Sequence, residues 1–162
     1  MFTAMKRLFF ILSFGAVACS GEVTIKESEI KPDLFYADGA CQPFTGKCMV
    51  TFNDTSLVKD RFTYKKGILS GEASTYYKNG QLRRRGNYLH GKFSGKWEFW
   101  DEKGNKTMEA NYLNDSLNGA FIVLYTNGKV KESGQFSGNV KIGRWTKYDE
   151  KGDLVEKQLL RN

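Results

Sequence analysis

The sequence predicts an all-β protein, an elongated antiparallel meander of β-hairpin repeats. One 24-residue pattern occurs three times in succession between Ser70 and Lys141, and a fourth, shortened copy begins at Ile142. Within each copy, two runs rich in Tyr, Phe, Trp, Val and Thr are separated by a dipeptide that ends in Gly. Runs of this composition are typical of strands. The repetition therefore predicts a sheet that grows by one hairpin per repeat.

The dipeptides between the two runs of each copy are Asn79-Gly80, Lys103-Gly104, Asn127-Gly128 and Lys151-Gly152. Tight hairpin turns need a positive φ, which Asn and Gly tolerate, so these positions predict the hairpin turns. The chain breaks a second time in each period, near Gly67, Gly91, Asn114-Asp115 and Gly138-Asn139. These breaks are expected to return the chain to the next hairpin.

Alternation along the strands predicts what the repeats bury. Trp97 and Phe99 fall on one face of the predicted sheet, and Trp100 falls on the opposite face. In the second strand of each repeat, Gly86, Ala110 and Gly134 are small and leave room for a neighbouring ring. We expect rings stacked between adjacent hairpins to supply the core that a single sheet otherwise lacks.

The repeat motif joins a Gly, an aromatic residue two positions later, a second aromatic and the turn Gly. It occurs as Gly95-Lys96-Trp97-Glu98-Phe99-Trp100 with Gly104, as Gly119-Ala120-Phe121 with Tyr125 and Gly128, and as Gly143-Arg144-Trp145 with Tyr148 and Gly152. The copy that begins at Ser70 departs from it, with Ala73 in place of the first aromatic. From Gly46 to the C-terminus the chain resembles the MORN-variant repeats of bacterial proteins, including the YwqK-type antitoxin-like family. The resemblance implies a β-hairpin repeat fold that acts in binding or membrane association.

The N-terminus has the pattern of an export signal. Lys6 and Arg7 precede an apolar run, and small residues lead to Cys19. This predicts a signal peptide over residues 1–18, cut after Ala18. The same site fits ordinary signal peptidase and resembles a bacterial lipoprotein box, in which Cys19 would carry the lipid; Ala16 departs from the Leu that this box prefers.

Cysteine parity favours the lipoprotein form. The chain has three cysteines, and acylation of Cys19 leaves Cys41 and Cys48 to form a disulfide in an oxidising compartment. A metal site is the alternative, but His90 is the only histidine and lies in a different repeat. We therefore predict the disulfide and no metal.

Three further regions follow the signal peptide. Residues 19–34 are predicted to be a solvated tether, because they are polar and show little periodicity. Residues 35–69 form an irregular first unit, which we interpret as a capping repeat. A disulfide between Cys41 and Cys48 would stabilise it. Residues 70–162 are the regular repeats.

Charge and aromatic content indicate a binding surface. Loss of Lys6 and Arg7 lowers the formal charge from +7 to +5, which favours anionic partners. The densest basic stretch is Arg83-Arg84-Arg85, whose residues alternate between the two faces; they could bind an anion or cover neighbouring rings on a solvated face. The candidate binding surface consists of Tyr76, Trp100, Tyr148, Arg83, Arg84 and Arg85.

The chain offers little for catalysis. Residues 86–92 match most of a phosphate-binding loop, but Phe93 replaces the required Ser or Thr. Turn carboxylates such as Asp101 and Asp149 are spaced by the repeat. We predict no enzyme, no cofactor and no catalytic residue.

Two functions fit these observations. In the first, the protein is a non-catalytic, membrane-anchored repeat protein of the bacterial envelope that binds another protein or an anionic envelope component. In the second, which follows from the resemblance, it is an antitoxin-like protein that neutralises a toxin by direct binding. The repeats could also serve as a spacer. Export argues against a nucleic-acid partner, and open sheet edges allow self-association.

Overall fold

A computed structural model of the chain describes residues 20–26, 43–53 and 55–160. The described residues form a single 11-stranded sheet in which the strands follow their order in the sequence. The strands are β1 Ser20–Lys26, β2 Thr45–Thr51, β3 Val58–Lys65, β4 Ile68–Tyr76, β5 Leu82–Leu89, β6 Lys92–Trp100, β7 Lys106–Leu113, β8 Ser116–Leu124, β9 Val130–Ser137, β10 Val140–Tyr148 and β11 Leu154–Leu160. No helix of the described residues is long and apolar enough to cross a membrane.

The predicted all-β meander is confirmed. From β2 to β11 every strand pairs antiparallel with the next, and the sheet does not close on itself. The first regular repeat forms β4 and β5, and each later repeat adds another pair. The 24-residue period therefore corresponds to one hairpin, as the sequence predicts.

Strand β1 differs from the sequence prediction. Residues 20–26 lie inside the predicted tether, yet they pair parallel with β2, with Val23 opposite Cys48. The side chain of Val23 packs against the first buried cluster of the sheet. The segment 22–26 alternates polar and apolar residues, and β2 offers it an otherwise unpaired strand edge. The signal peptide (1–18) and most of the remaining tether (27–34) lie outside the described residues.

The tight two-residue turns predicted within the repeats lie instead between them. At Asn79-Gly80 the backbone amide of Gly80 donates to the carbonyl of Tyr77. Gly80 has a φ of 82°, whereas the φ of Asn79 is not positive. The two-residue turns with positive φ at both positions lie between repeats, as at His90 (51°) and Gly91 (79°). Both kinds close hairpins, but the tight turns are the ones that connect repeats.

A second glycine in each repeat marks a break in strand pairing. Gly95 has a φ of 70° inside β6, where the pairing with β5 shifts between Arg85 and Asn87. A residue with a side chain rarely adopts this conformation. The glycine therefore allows a bulge, which bends the strand and re-aims the residues that follow it.

The core is a row of alternating large and small residues on one face, the ring face, named for Trp97, Phe93 and Tyr88. The Trp97 ring is 1% exposed and lies so close to Gly86 that a Cβ there would sit 2.3 Å from it. Phe93 stacks on Trp97 with ring centroids 3.9 Å apart, and Tyr88 meets it edge-on at 5.2 Å. The expected packing of rings beside small residues is thus present.

The same arrangement recurs two repeats later. The Trp145 ring covers Gly134, again with only 2.3 Å left for a Cβ, and Phe136 meets it edge-on at 5.1 Å. Lys141 takes the position that Phe93 holds, with its Nζ 3.8 Å from the centre of the Trp145 ring. A cation therefore replaces a stacked ring near the C-terminal end.

The first unit has its own buried cluster of Phe44, Cys48 and Val50. Burial, with a further contribution from Asp60, raises the pKa of the Cys48 thiol to about 11. Cys41 lies outside the described residues, so its pairing with Cys48 remains a prediction.

Candidate functional site

Three aromatic residues of the predicted surface occupy equivalent positions at the ends of β4, β6 and β10. Tyr76, Trp100 and Tyr148 are each half-buried. They lie on the face opposite the ring face, which we call the charged face and define by Arg85, Glu98 and Trp100. Each of these side chains is therefore partly accessible to solvent.

The basic stretch divides between the two faces, as the sequence predicts. Arg84 lies over the ring face, 5.6 Å from the centre of Phe93 and 5.8 Å from that of Trp97, and donates to the hydroxyl of Thr75 at 3.3 Å. Arg85 lies on the charged face, 5.4 Å from the centre of Trp100. The structure thus does not bring Arg84 together with the other members of the candidate surface.

Arg83 also lies over a ring. Its guanidinium is 5.6 Å from the centre of Tyr77, whose hydroxyl donates to the carbonyl of Trp100 at 2.9 Å. All three arginines therefore cover aromatic rings. Arg83 and Arg85 are exposed and able to contact a partner as well.

Glu98 is the centre of a charged network on the charged face. It accepts hydrogen bonds from Arg85 at 2.7 Å and from Lys106 at 2.6 Å. Glu109 joins the network through Lys106 at 2.7 Å and Lys96 at 2.7 Å. Glu98 itself is only 9% exposed, so its charge is held by these partners more than by water.

The network keeps Glu98 ionised. Burial opposes the charged form, but the hydrogen bonds from Lys106 and Arg85 outweigh it and lower the pKa of Glu98 to about 2. The pKa of Glu109 is also lowered, mainly by its hydrogen bonds from Lys106 and Lys96. The carboxylates remain paired anions over the whole physiological range, so this site is suited to recognition more than to proton transfer.

Trp100 is held between two cations of this network. Arg85 lies 5.4 Å and Lys106 lies 5.5 Å from the centre of its ring. Tyr76 has one such neighbour, Arg61, at 5.6 Å. Cations therefore flank the rings of Trp100 and Tyr76, and contacts of this kind restrict a side chain before a partner binds, which lowers the entropic cost of binding.

Sequence reasoning missed Arg61, Lys106 and the two carboxylates. A signal existed for Glu98, because it lies two residues before Trp100 and hence on the same face. Its pairing with Arg85 depends on the register of β5 and β6, which the bulge at Gly95 shifts. The period alone does not reveal that register.

The side chains that could take part in catalysis or metal binding lie apart from one another. His90 is exposed in the tight turn between β5 and β6. Within the described part of the chain, no three residues of the His, Cys, Asp and Glu types gather as metal ligands do. Cys19, the predicted lipid attachment site, lies outside the described residues.

The family comparison agrees with the repeat structure. A model described as a MORN repeat variant matches residues 69–90 and 93–114. Each match covers one hairpin, the first formed by β4 and β5 and the second by β6 and β7. MORN repeats generally take part in protein or membrane binding and are typically non-catalytic. No curated protein matches the chain.

Proposed function

We propose that the protein is a non-catalytic, membrane-anchored scaffold of the bacterial cell envelope that binds a protein partner through its charged face. The anchor in this proposal is a lipid on Cys19, and Trp100 is the centre of the contact. The matched MORN repeats support a role in binding, while envelope location and anchoring rest on the N-terminal sequence pattern.

One observation carries the proposal. Trp100 is half-buried and flanked by Arg85 and Lys106, each within about 5.5 Å of the ring centre. Trp and Arg dominate binding hot spots, because they give large contact areas and hydrogen bonds at one position. An aromatic residue that its own neighbours hold in place loses little freedom on binding.

The test begins with the full-length protein, tagged at its C-terminus and purified from gently solubilised membranes of its native host. We expect one stoichiometric protein partner that stays bound at high salt. Trp100→Ala should weaken capture of that partner at least tenfold, which is the usual scale of a hot-spot loss. Leu124→Ala is the matched control, because Leu124 holds the equivalent position one repeat later and is not part of the candidate surface.

Two results would overturn the proposal. Equal loss of the partner in both variants would place the contact elsewhere, and a preparation containing only lipid would exclude a stable protein partner. Cys19→Ser tests the anchor separately, since it should release the protein from membranes without weakening capture of the purified partner. The antitoxin-like alternative predicts that the captured partner is a toxin whose gene becomes harmful when this protein is deleted.

A further inference from the structure

A groove of about 540 Å³ lies on the charged face near the C-terminal end of the sheet. Its floor is a cross-strand row from β8 to β11 formed by Ile122, Ser133, Thr146 and Lys157. Tyr148 and Leu154 flank the floor at the turn end, and Arg144 and Gln135 flank it on the other side. The volume is within the range of small-molecule sites.

The chain contains a second copy of this groove, which serves as an internal comparison. Two repeats earlier, a groove of about 430 Å³ is lined by residues at the equivalent positions. There the cations are Lys96 and Arg85, and carboxylates pair with both: Glu98 lies 3.5 Å from Lys96 and 2.7 Å from Arg85, and Glu109 lies 2.7 Å from Lys96. That earlier groove therefore satisfies its own charges.

The C-terminal groove keeps a cation at the Lys96 position, has Ser133 in place of Arg85, and replaces the carboxylates. Arg144 holds the position of Lys96, whereas Thr146 stands in place of Glu98 and Lys157 in place of Glu109. Glu72 of the earlier groove is likewise replaced, by Ala120. Among the described residues, neither Arg144 nor Lys157 forms an ion pair with a carboxylate. Two cations thus face one groove without an internal counter-charge.

The remaining lining is suited to an anion with an apolar part. The hydroxyls of Ser133 and Thr146 lie 2.9 Å apart and add hydrogen-bonding groups to the floor. Ile122, Tyr148 and Leu154 supply apolar surface, and Leu154 is 56% exposed. An arginine favours a planar or tetrahedral oxyanion that accepts two hydrogen bonds.

We propose that this groove is a binding site for a small organic anion, with its carboxylate or phosphate group held by Arg144 and Lys157 and its apolar body on Leu154 and Ile122. The site lies two repeats from Trp100 and shares Tyr148 with the candidate surface, but it stands whether or not the contact centred on Trp100 binds a protein. Within one repeat array, the replacement of three carboxylates converts a self-neutralised groove into a receptor for an external anion.

The test uses the purified full-length chain and four probes, which are phenyl phosphate, benzoate, inorganic phosphate and benzylamine. Titrations followed by ¹H–¹⁵N NMR should move the amides of Ser133 and Thr146 with phenyl phosphate or benzoate. Inorganic phosphate should bind more weakly because it lacks the apolar body, and benzylamine should not bind because its charge is positive. Whichever of the two aromatic anions binds tighter identifies the acidic group.

Three variants make the assignment specific. Arg144→Gln and Lys157→Gln should each weaken binding roughly tenfold, the usual scale for one charge-assisted hydrogen bond. Thr146→Glu should abolish it, because this change restores the carboxylate that neutralises the earlier groove. Lys96→Gln is the matched control at the position equivalent to Arg144 and should leave binding at the C-terminal groove unchanged.

The proposal is overturned if neither aromatic anion shifts the groove amides at millimolar concentration. It is equally overturned if benzylamine binds as well as benzoate, or if Thr146→Glu binds like the unmodified chain. Chemical-shift dispersion in each variant shows that the sheet is intact, so a loss of binding is not confused with unfolding.

Discussion

On the ring face, strands joined by a turn between repeats combine one large and one small side chain. Each pair combines a large residue on one strand with a small one on the next, in the order Phe62 and Ala73, Gly86 and Trp97, Ala110 and Phe121, Gly134 and Trp145. Ala73 is smaller than the aromatic residue that the repeat motif has at this position. Phe62, which lies opposite Ala73, supplies the missing ring. Close packing constrains the combined volume of the two side chains, while each side chain can differ in size between repeats.

This pairing predicts a specific rescue at Gly86. Gly86→Ala should lower the free energy of unfolding by about 1–3 kcal/mol, because the new methyl group overlaps the Trp97 ring. The double variant Gly86→Ala with Trp97→Phe reproduces the combination found at Ala110 and Phe121. It should recover at least half of the loss, measured by urea unfolding of the unmodified chain, the two single variants and the double variant.

A double variant that is less stable than the sum of its single changes would contradict this account. Such a result would mean that the two positions do not share one volume. Lys92→Ala, an exposed change in β6 away from the pair, is the control and should alter stability by less than about 0.5 kcal/mol.

The Glu98 network predicts how stability depends on pH. The pKa of Glu98 is about 2 in the folded chain and near its ordinary value of 4.5 when unfolded. A lowered folded pKa stabilises the fold fully above the unfolded pKa, and this contribution is lost as the pH falls from about 4.5 to 2. The contribution of Glu98 at neutral pH is at most about 3 kcal/mol.

Glu98→Gln should therefore destabilise the chain at pH 7, and its deficit relative to the unmodified chain should shrink between pH 4.5 and 2. Urea unfolding at pH 7, 4, 3 and 2 measures this difference directly. Glu102→Gln is the control, since Glu102 is exposed in a turn outside the network. A deficit that stays constant down to pH 2 would show that packing, and not charge, explains the effect.

At the scale of elements, the turns alternate with a period of two repeats. We number the turns within the four repeats from the N-terminal end. In the first and third, the side-chain oxygens of Asn79 and Asn127 accept from the backbone amide two residues later, at 3.0 and 2.9 Å. The side-chain NH₂ groups of the same residues donate to backbone carbonyls of the next turn. In the second and fourth turns, Asp101 and Asp149 accept from amides within their own turn. The structural unit along the turn edge is therefore a pair of hairpins.

This alternation predicts the effect of changes at Asn79. The side-chain NH₂ group of Asn79 donates to the backbone carbonyl of Glu102 at 2.7 Å, while the side-chain oxygen of Asn79 accepts from the backbone amide of Gln81. Asn79→Asp keeps the accepting oxygen and loses the donor, so it should cost about 0.5–1.5 kcal/mol; Asn79→Ala loses both bonds and should cost about twice as much. Thermal unfolding compares them, and an Asn79→Asp variant as stable as the unmodified chain would show that the link between turns contributes nothing.

The sequence predicts the hairpins well because each depends on residues close together in the chain. It predicts Gly86 beside a ring for the same reason. The strand β1 and the pairing of Arg85 with Glu98 were missed, because the first joins distant segments in parallel and the second depends on a register that a bulge shifts. The position of the tight turns was mispredicted because Gly and Asn occur in both kinds of turn.

At the scale of the whole molecule, the sheet ends in an edge strand on each side, since β1 and β11 each have one neighbouring strand among the described residues. At the N-terminal end, β1 covers the edge of β2. At the C-terminal end, β11 has one neighbouring strand among the described residues, and Leu154, Val155 and Leu159 are 56%, 67% and 73% exposed. An edge of this kind is the most exposed template for pairing with another chain.

Because each hairpin contacts mainly its neighbours, stability should vary along the sheet. We expect amide hydrogen exchange to be fastest in β11 and slowest in β6 and β7, where Trp97 is packed between Phe93 and Tyr88. Trp97→Phe leaves a gap over Gly86 and should accelerate exchange from β5 to β7. The equivalent change Trp145→Phe should accelerate exchange from β9 to β11 only.

These two matched variants distinguish a local from a global response. If either substitution accelerates exchange equally in every strand, the sheet unfolds as one cooperative unit, and the nearest-neighbour description is wrong. If each response stays within about one hairpin of the substitution, changes at the C-terminal groove leave the Trp100 surface intact. The two proposed sites are then energetically independent, and a ligand at one should not alter the affinity of the other.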